Sequence, residues 1–515
     1  MDTTLSALGV GRSGRHALWH LGLACAAGGA VLEALTIAAP CAATEWLEDD
    51  DDSNASARAG TAIVIGQIIG AVGWAAAADF LGRREAIVLA CVGATGTCAV
   101  AACASTPFAF EVGVAVCAAS ATGLFIPSLL LAVERAPVTA RAGYATTLAA
   151  FVAVGSALVL GAHSLLAVIA GALSSSSVGA QWRAALAFAA ALPFFAGIAC
   201  ARGLIESPRW LLASNKHVQL RTQTRQEAAR TFNGTGTPGA NRVTSILDDT
   251  LRNSGDGSKP AVPAPGQACR ATVGGVNLCI TGFMFLVAFG LYGITSLIRL
   301  EFASDGRNAA APFRRRLSLS YSDSEPCPSL DYGIAFVGLA FDVLFVLVAR
   351  HVVDVMGRHP CLAGLAAFAG GGLLFLCIPE YFPWAKGAPM NLIICMMSLA
   401  RGGLTTAVWL TLVYAAETHG DASRSATVAV AYSARGLGGL AASNWVASPN
   451  SISNVILLVT LVCVSVGWAA HALPMEMSRV PLDYHERSRN RPAAATTPVQ
   501  VPQPAVGEVS PLLAQ

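Results

Sequence analysis

Four charged residues lie away from the ends of long apolar stretches of the sequence: Glu33, Asp342, Arg401 and Arg435. Glu111 lies near the outer end of the fourth stretch, where we expect a solvated residue. A charge near the middle of a membrane helix costs about 2.5–3.5 kcal/mol on insertion scales, so each of these positions needs a chemical explanation. Glu33 could hold a coupled proton, or it could face a cavity as the counter-ion of a charged solute. The alternative for Glu33 is a solvated position near the outer membrane interface.

The other three charges suggest different roles. A guanidinium binds carboxylate or phosphate groups through two parallel hydrogen bonds, which suits Arg435 as a substrate contact. The alternative is a structural pair between Arg435 and a neighbouring helix. Arg401 and Asp342 can pair within the membrane, and we expect that pair to be structural. His163 stands alone among Ala and Leu, where a satisfied core residue is more common than a proton relay.

Uncharged polar and aromatic side chains in the apolar stretches form a second group of candidates. Gln67 and Asn277 could line a cavity or form hydrogen bonds between helices. Tyr292, Trp409 and Tyr432 could line the same cavity or anchor helices at the membrane interface. The predicted residues for binding the substrate or the coupling ion are therefore Glu33, Gln67, Asn277, Asp342, Arg401, Tyr432 and Arg435.

Two motifs recur at equivalent points along the chain. DFLGRR follows the second apolar stretch, and DVMGRH follows the eighth. ERAPVTAR follows the fourth stretch and ETHGDASR the tenth, each with Glu and Arg seven positions apart. Two recurrences in matching order indicate a duplicated six-helix unit, as in many secondary transporters. The residues of this set are Asp79, Gly82, Arg83, Arg84, Glu134, Arg141, Asp354, Gly357, Arg358, Glu417 and Arg424.

The chemistry of this repeated set suits an inner gate. A carboxylate at a helix end can pair with an Arg of a neighbouring loop, and Gly allows the backbone to turn tightly after the helix. Such pairs could hold the two halves together while the binding site faces outward, and they would have to break for the site to open inward. The alternative is that the residues only cap helices and set the topology. The duplication favours the gate.

The composition indicates the environment in which these residues lie. Of the 515 residues, 54% are hydrophobic and 12% are charged, whereas a soluble protein has about 25% charged residues. So few charges cannot cover a water-soluble surface, and we predict an all-α integral membrane protein. The sequence has no P-loop motif, no metal-ligand spacing and no dense basic stripe for nucleic acid. We expect no cofactor, no metal and no enzymatic activity.

Twelve apolar stretches reach the roughly 20 residues that a membrane-spanning helix needs. They are 17–40, 60–80, 86–105, 109–133, 143–172, 182–203, 272–299, 331–350, 360–379, 388–416, 425–447 and 454–474. The predicted segments are a cytosolic N-terminus (1–16), a six-helix bundle (17–203), a cytosolic linker loop (204–271), a second six-helix bundle (272–474) and a disordered cytosolic tail (475–515). Lys and Arg in the short connections place both termini in the cytosol, although the basic segment 300–330 disagrees.

The repeated motifs resemble the inner-loop signature of the major facilitator superfamily. DFLGRR carries that signature and DVMGRH is a weaker copy, with Phe80 and Val355 where the family usually has a basic residue. IESPRWLLASNK (205–216), YAAETHGDASRSATVAVAYSARGLGGL (414–440) and LPMEMSRVPL (473–482) are similar to elements of the organic ion transporter and synaptic-vesicle-protein-like branch. The resemblance implies two pseudo-symmetric six-helix bundles that transport a solute by alternating access. It also implies that Arg435 lies at a position where organic anion and zwitterion carriers have a similar residue.

Two functions from different classes stay open on the sequence. The first is a secondary transporter for a small organic solute, with proton coupling as an option. An anion or zwitterion is predicted because Arg435 and Glu33 both lie in the membrane, while sugars and phosphate remain alternatives. The second is a non-transporting membrane protein of a vesicle or organelle that uses the same scaffold for trafficking or as a receptor. Transport is the favoured interpretation.

Two short motifs bear on location. Glu508–Leu513 fits an acidic dileucine sorting signal, which would direct the protein to an endosomal or lysosome-like organelle; the plasma membrane is the alternative location. Asn54 begins a glycosylation sequon in the first predicted outer loop.

The expected partners are a small organic solute, protons in the coupled case and the lipid bilayer. We expect a monomer.

Overall fold

The computed structural model describes residues 1–9, 11–46, 55–173, 178–254, 275–303, 332–381, 390–421 and 423–446, with Leu461, Leu473 and Leu482. Within these residues every regular element is a helix, as predicted for an all-α chain. Nine stretches of the described residues are long and apolar enough to cross a membrane. The predicted last span (454–474), Asn54 and Glu508–Leu513 lie outside the described residues, apart from Leu461 and Leu473.

The described residues of the first half form eight α-helices. They are α1 (Asp2–Leu8), α2 (Arg12–Trp46), α3 (Ala55–Leu81), α4 (Arg83–Ala102), α5 (Pro107–Thr122), α6 (Ile126–Arg135), α7 (Arg141–Leu173) and α8 (Val178–Gly203). The predicted fourth span, 109–133, lies within one membrane-spanning stretch, Pro107–Arg135, which is built from the two helices α5 and α6. Pro127 has no N–H group with which to continue the hydrogen bonds of an α-helix. Just before it, up to Phe125, the backbone N–H groups bond to carbonyl groups three residues earlier, as in a 3-10 helix. This break directs Phe125 towards the second half.

The described residues of the second half and of the segment before it form eight more α-helices. They are α9 (Pro208–Ala213), α10 (His217–Thr231), α11 (Pro238–Ser254), α12 (Gly275–Ala303), α13 (Tyr332–Met356), α14 (Arg358–Tyr381), α15 (Met390–Glu417) and α16 (Arg424–Val446). The segment predicted as a linker loop is thus helical over 208–213, 217–231 and 238–254. Val243, Leu247 and Leu251 recur every four residues and are buried on one face of α11.

Small residues let the membrane helices approach closely. Ala71, Ala75 and Ala78 form a buried stripe on α3, and Ala86, Ala90 and Ala94 form another on α4. Their spacing of three or four residues keeps each stripe on one helix face. In lipid, close packing of such faces replaces the hydrophobic effect as the main source of association.

Two seams join the halves. In the first seam α3 packs along α16, and in the second α7 packs along α13. These helices are the second, eleventh, fifth and eighth predicted spans, so the seams are equivalent under the repeat. Between them the ring of Phe125 contacts Trp409 of α15 and Tyr432 of α16, with centroid distances of 5.9 and 6.4 Å. Residues of both halves therefore meet at the ends and in the middle of the bundle.

Candidate functional site

The two repeated aspartates lie at one end of the bundle, which we call the motif end; it carries the set from Asp79 to Arg424 listed above. Asp79 in the last turn of α3 accepts a hydrogen bond from the hydroxyl of Ser425 in the first turn of α16. Asp354 in the last turn of α13 accepts one from the N–H of Gly143 in the first turn of α7, at 2.9 Å. A carboxylate is favoured at a helix N-terminus because the helix dipole is positive there. Each aspartate thus closes one seam.

Two buried ion pairs are also related by the repeat. Arg83 donates two hydrogen bonds to Glu134, of 3.1 Å from Nε and 3.0 Å from Nη2. Arg358 donates two to Glu417, of 2.9 Å from Nε and 2.7 Å from Nη2. All four residues are at most 4% exposed. Each pair lies within one half, so it makes that half rigid at the motif end without joining it to the other.

The two arginines that follow these pairs have different ion-pair partners. Arg424 crosses to the first half, where Nη1 lies 3.3 Å from Oε1 of Glu134, and it also pairs with Asp421 at 2.6 Å. Its counterpart Arg141 pairs instead with Asp2 of α1, with Nη2 2.8 Å from Oδ1. Arg424 therefore supplies a buried ionic contact between the halves, whereas Arg141 pairs with α1 and also lies close enough to Glu417 of the second half for their charges to interact.

Several residues of this cluster were not predicted from the sequence. They are Asp2, Glu206, Ser207, Arg209 and Asp421. Glu206 accepts hydrogen bonds from the N–H groups of Arg83 at 3.0 Å and Arg84 at 3.1 Å, so it caps the start of α4. The sequence signal was the IESPRW element, which resembled the family without suggesting a role for its Glu. Burial raises the pKa of Glu206, against the N–H groups and Arg83, which lower it.

Arg84 and the motif glycines have local roles. Arg84 donates to the carbonyl groups of Ala201 at 2.6 Å and Leu204 at 3.0 Å, which ties α4 to the end of α8 within the first half. Gly82 and Gly357 have φ of +107° and +97°. Other residues rarely adopt this region, so both glycines are needed for the turn that follows each aspartate.

Replacing Gly82 by Ala is expected to destabilise the protein. The backbone would be strained at a φ of +107°, and the added Cβ would lie 2.4 Å from Oε2 of Glu206. Strain at such a position costs about 1–3 kcal/mol, so thermal unfolding in detergent should show a lower midpoint. Gly96→Ala is the matched control because a Cβ there, also in α4, meets nothing within 4 Å. An unchanged midpoint for Gly82→Ala would contradict the assigned role.

The charge of Asp2 is expected to persist over the physiological pH range. Burial alone would raise its pKa, but Arg209 and Arg141 lower it below the ordinary 3.8. A carboxylate with a lowered pKa adds stability that is present above its unfolded pKa and is lost as the pH falls through the folded value. The difference in unfolding midpoint between wild type and Asp2→Asn should therefore be constant from about pH 5 to 8 and shrink below about pH 4. A difference that shrinks between pH 8 and 6 would contradict this assignment.

In the middle of the first seam lies Arg435. Its Nη1 donates a hydrogen bond of 3.0 Å to Oε1 of Gln67 in the other half. Its Cζ lies 5.0 Å from the ring centroid of Tyr432 and 5.5 Å from that of Tyr292. Such rings attract a guanidinium by about 0.5–2 kcal/mol. Among the described residues no carboxylate pairs with Arg435, so its positive charge is stabilised only by neutral groups there.

A second charged group lies between the halves. Arg401 and Asp342 are paired, with Nη2 3.1 Å from Oδ2, and Asp342 is 3% exposed. Glu33 of α2, in the other half, lies close enough to Asp342 for their charges to interact. The pair is therefore not isolated, because the carboxylate of Glu33 lies near that of Asp342. When all three are ionised, the group has a net charge of minus one.

The remaining candidates are dispersed. His163 of α7 bonds through Nδ1 to the hydroxyl of Tyr332 of α13, at 2.8 Å, across the second seam. Asn277 is buried in α12, at 4% exposed. Glu111 pairs with Arg58 at 2.9 Å. The structure thus brings Gln67, Tyr432 and Arg435 together, and separately Glu33, Asp342 and Arg401.

Comparison with known proteins identifies the family. The sequence model of the family described as the Major Facilitator Superfamily matches residues 21–443, which is most of the chain. The chain belongs to this superfamily. It is accordingly a multi-pass membrane protein of the transporter class, built as two six-helix bundles, and it is not an enzyme. No curated protein sequence matches the chain.

Solved structures of this superfamily have the same fold. The proton:xylose symporter XylE bound to 6-bromo-6-deoxy-D-glucose is 16% identical, with a TM-score of 0.68 over 92% of this chain and 98% of that one. The partially occluded inward-open form of XylE from E. coli is 16% identical, with a TM-score of 0.59 over 89% and 100%. The inward-open form is 17% identical, with a TM-score of 0.58 over 92% and 99%.

Proposed function

We propose that this protein is a secondary transporter that moves a small organic anion or zwitterion across a membrane by alternating access. We place it in the organic ion transporter and synaptic-vesicle-protein-like branch of the superfamily, with both termini in the cytosol. The observation that carries the proposal is Arg435, a guanidinium within the bilayer that contacts Gln67, Tyr292 and Tyr432.

The surroundings of Arg435 favour an anionic group on the solute. An intramembrane guanidinium without a counter-ion is unfavourable, and a carboxylate or similar anion would supply both charge and paired hydrogen bonds. Gln67 comes from the first half and the two tyrosines from the second, so a solute bound here would contact both halves. Such a site can be exposed alternately to either side as the halves move.

The contacts at the motif end support a state closed at that end. Asp79 and Asp354 each bind the first turn of a helix in the opposite half, and Arg424 bridges to Glu134. The fold agrees less well with the two inward-open forms of XylE than with the ligand-bound form. The proposed cycle therefore requires these three contacts to break before the site can open at the motif end.

For energy coupling we propose the group formed by Glu33, Asp342 and Arg401. Two carboxylates and one guanidinium leave one negative charge within the bilayer when all three are ionised. Binding of a proton would neutralise that charge, which would lower the cost of moving the halves past each other in lipid. In this proposal the protein is a proton symporter.

Uptake by the purified protein in liposomes tests the proposal. The panel should contain monocarboxylates, zwitterionic amino acids, organic cations and a neutral sugar, each with and without an inward proton gradient. We expect uptake of anions or zwitterions, increased by the gradient. Uptake of the sugar or cations alone would contradict the substrate class, and a rate independent of the gradient would contradict proton coupling. No uptake of any solute would favour the non-transporting alternative.

A further inference from the structure

The short helix α1 lies against the charged cluster at the motif end. Asp2 is 7% exposed. Its Oδ1 accepts hydrogen bonds from Nη2 of Arg141 at 2.8 Å and from Nη2 of Arg209 at 2.5 Å. Its Oδ2 accepts one from the N–H of Leu482 at 3.0 Å. One carboxylate thus joins the start of α7, the helix α9 and a residue that follows the last predicted span.

Apolar packing holds α1 in this place. Leu5 is 4% exposed and belongs to one cluster with Trp210, Leu211, Leu247 and Leu251. These partners come from α9 and α11, in the segment that connects the halves. Helix α1 is therefore fixed by apolar contacts on one side while Asp2 is directed into the charged cluster.

The charges around Asp2 explain why a carboxylate is needed there. Arg141 and Arg209 are 1% and 3% exposed, and their like charges oppose each other. Two buried guanidinium groups that share a site require an anion between them. Arg209 also lies 3.6 Å from Asp421, which precedes α16 in the second half. Asp2 therefore holds the first half to the second by two routes, through Leu482 and through Arg209.

We propose that Asp2 is a positioning residue of the gate at the motif end. With α1 docked, its carboxylate keeps Arg141 and Arg209 in the closed arrangement and stabilises the state that is shut at this end. Opening this end requires both links to break: Asp2 must release Leu482, and Arg209 must release Asp421. The inference rests on the proposed alternating access, and it adds α1 to the contacts that set the balance between the two states.

Hydrogen–deuterium exchange of the full chain in nanodiscs, without substrate, tests this role. The peptides to follow cover 141–150 and 424–433, which contain the first turns of α7 and α16. Asp2→Asn should accelerate exchange in both peptides by about tenfold, the effect of losing hydrogen bonds to a charged group. Asp2→Glu should restore part of the protection. Thr3→Ala is the matched control because Thr3 is exposed on the same helix, and it should match wild type.

The peptides in which exchange becomes faster show whether Asp2 acts on the gate or only on the local structure around α1. Faster exchange confined to α1 and α9–α11 would show that Asp2 only anchors α1, and this would overturn the inference. Leu5→Ser removes the apolar contact that holds α1 in place without removing a charge, and it should also accelerate exchange in the same two peptides. This variant can replace Asp2→Asn if Asp2→Asn does not fold. These measurements need no transported solute. A wild type that takes up nothing would contradict the proposed function, whereas unchanged exchange in both variants would contradict this inference alone.

Discussion

Arg435→Ala is expected to lower the uptake of organic anions by about 10- to 150-fold, which corresponds to losing hydrogen bonds to a charged group. The proposed site consists of Arg435, Gln67, Tyr292 and Tyr432, and among these four side chains the guanidinium offers a positive charge to the solute. Removing it leaves the bound anion in the bilayer without a counter-charge. Initial rates of uptake into liposomes at several solute concentrations would measure the loss.

Two further variants make the Arg435 result specific. Arg435→Lys keeps the charge but not the planar pair of donors, so it should retain intermediate uptake. Arg225→Ala removes an exposed arginine of α10 and should transport like wild type, which controls for expression and insertion. Equal uptake by wild type and Arg435→Ala, at equal amounts of folded protein, would refute a substrate contact at this position.

The second large effect is expected at Glu134. This carboxylate accepts hydrogen bonds from Arg83 of its own half and Arg424 of the other half, and the hydroxyl of Ser207 also donates to it. Breaking a buried pair costs about 3–5 kcal/mol, because a charge is left without its partner. Glu134→Gln should therefore lower the midpoint of thermal unfolding and also weaken the closed state at the motif end.

Glu417→Gln is the matched comparison for Glu134→Gln. Glu417 occupies the equivalent place in the second half, but its hydrogen bonds and ion pair go to Arg358 of the same half, and across the halves its charge interacts with Arg141 of α7 rather than with a residue of the 424–433 peptide. We expect a similar drop in the unfolding midpoint with little change in deuterium uptake by the 424–433 peptide. Glu134→Gln should increase that uptake at temperatures well below its own midpoint. The same deuterium uptake in both variants would contradict the assignment of Arg424 as the contact between the halves.

The repeated motif could be predicted because its chemistry is local. Asp79, Gly82 and Arg83 are close in sequence, and a helix end followed by a tight turn brings them together whatever the rest of the chain does. The same holds for Asp354, Gly357 and Arg358. Asp2, by contrast, has no sequence feature that separates it from an ordinary acidic residue at the start of a chain. Its importance follows from partners 139, 207 and 480 positions away.

The sequence alone determined that this protein lies in the membrane, that its helices come in two related halves and that charges are placed where they are costly. Those properties depend on composition and on residue order within about 20 positions, the length of one span. Only the tertiary structure decided that Arg435 contacts Gln67, that Glu33 lies near Asp342 and that Arg141 pairs with Asp2. A membrane helix has side chains on all sides, so the partner of each charge depends on how the helices rotate and pack against each other.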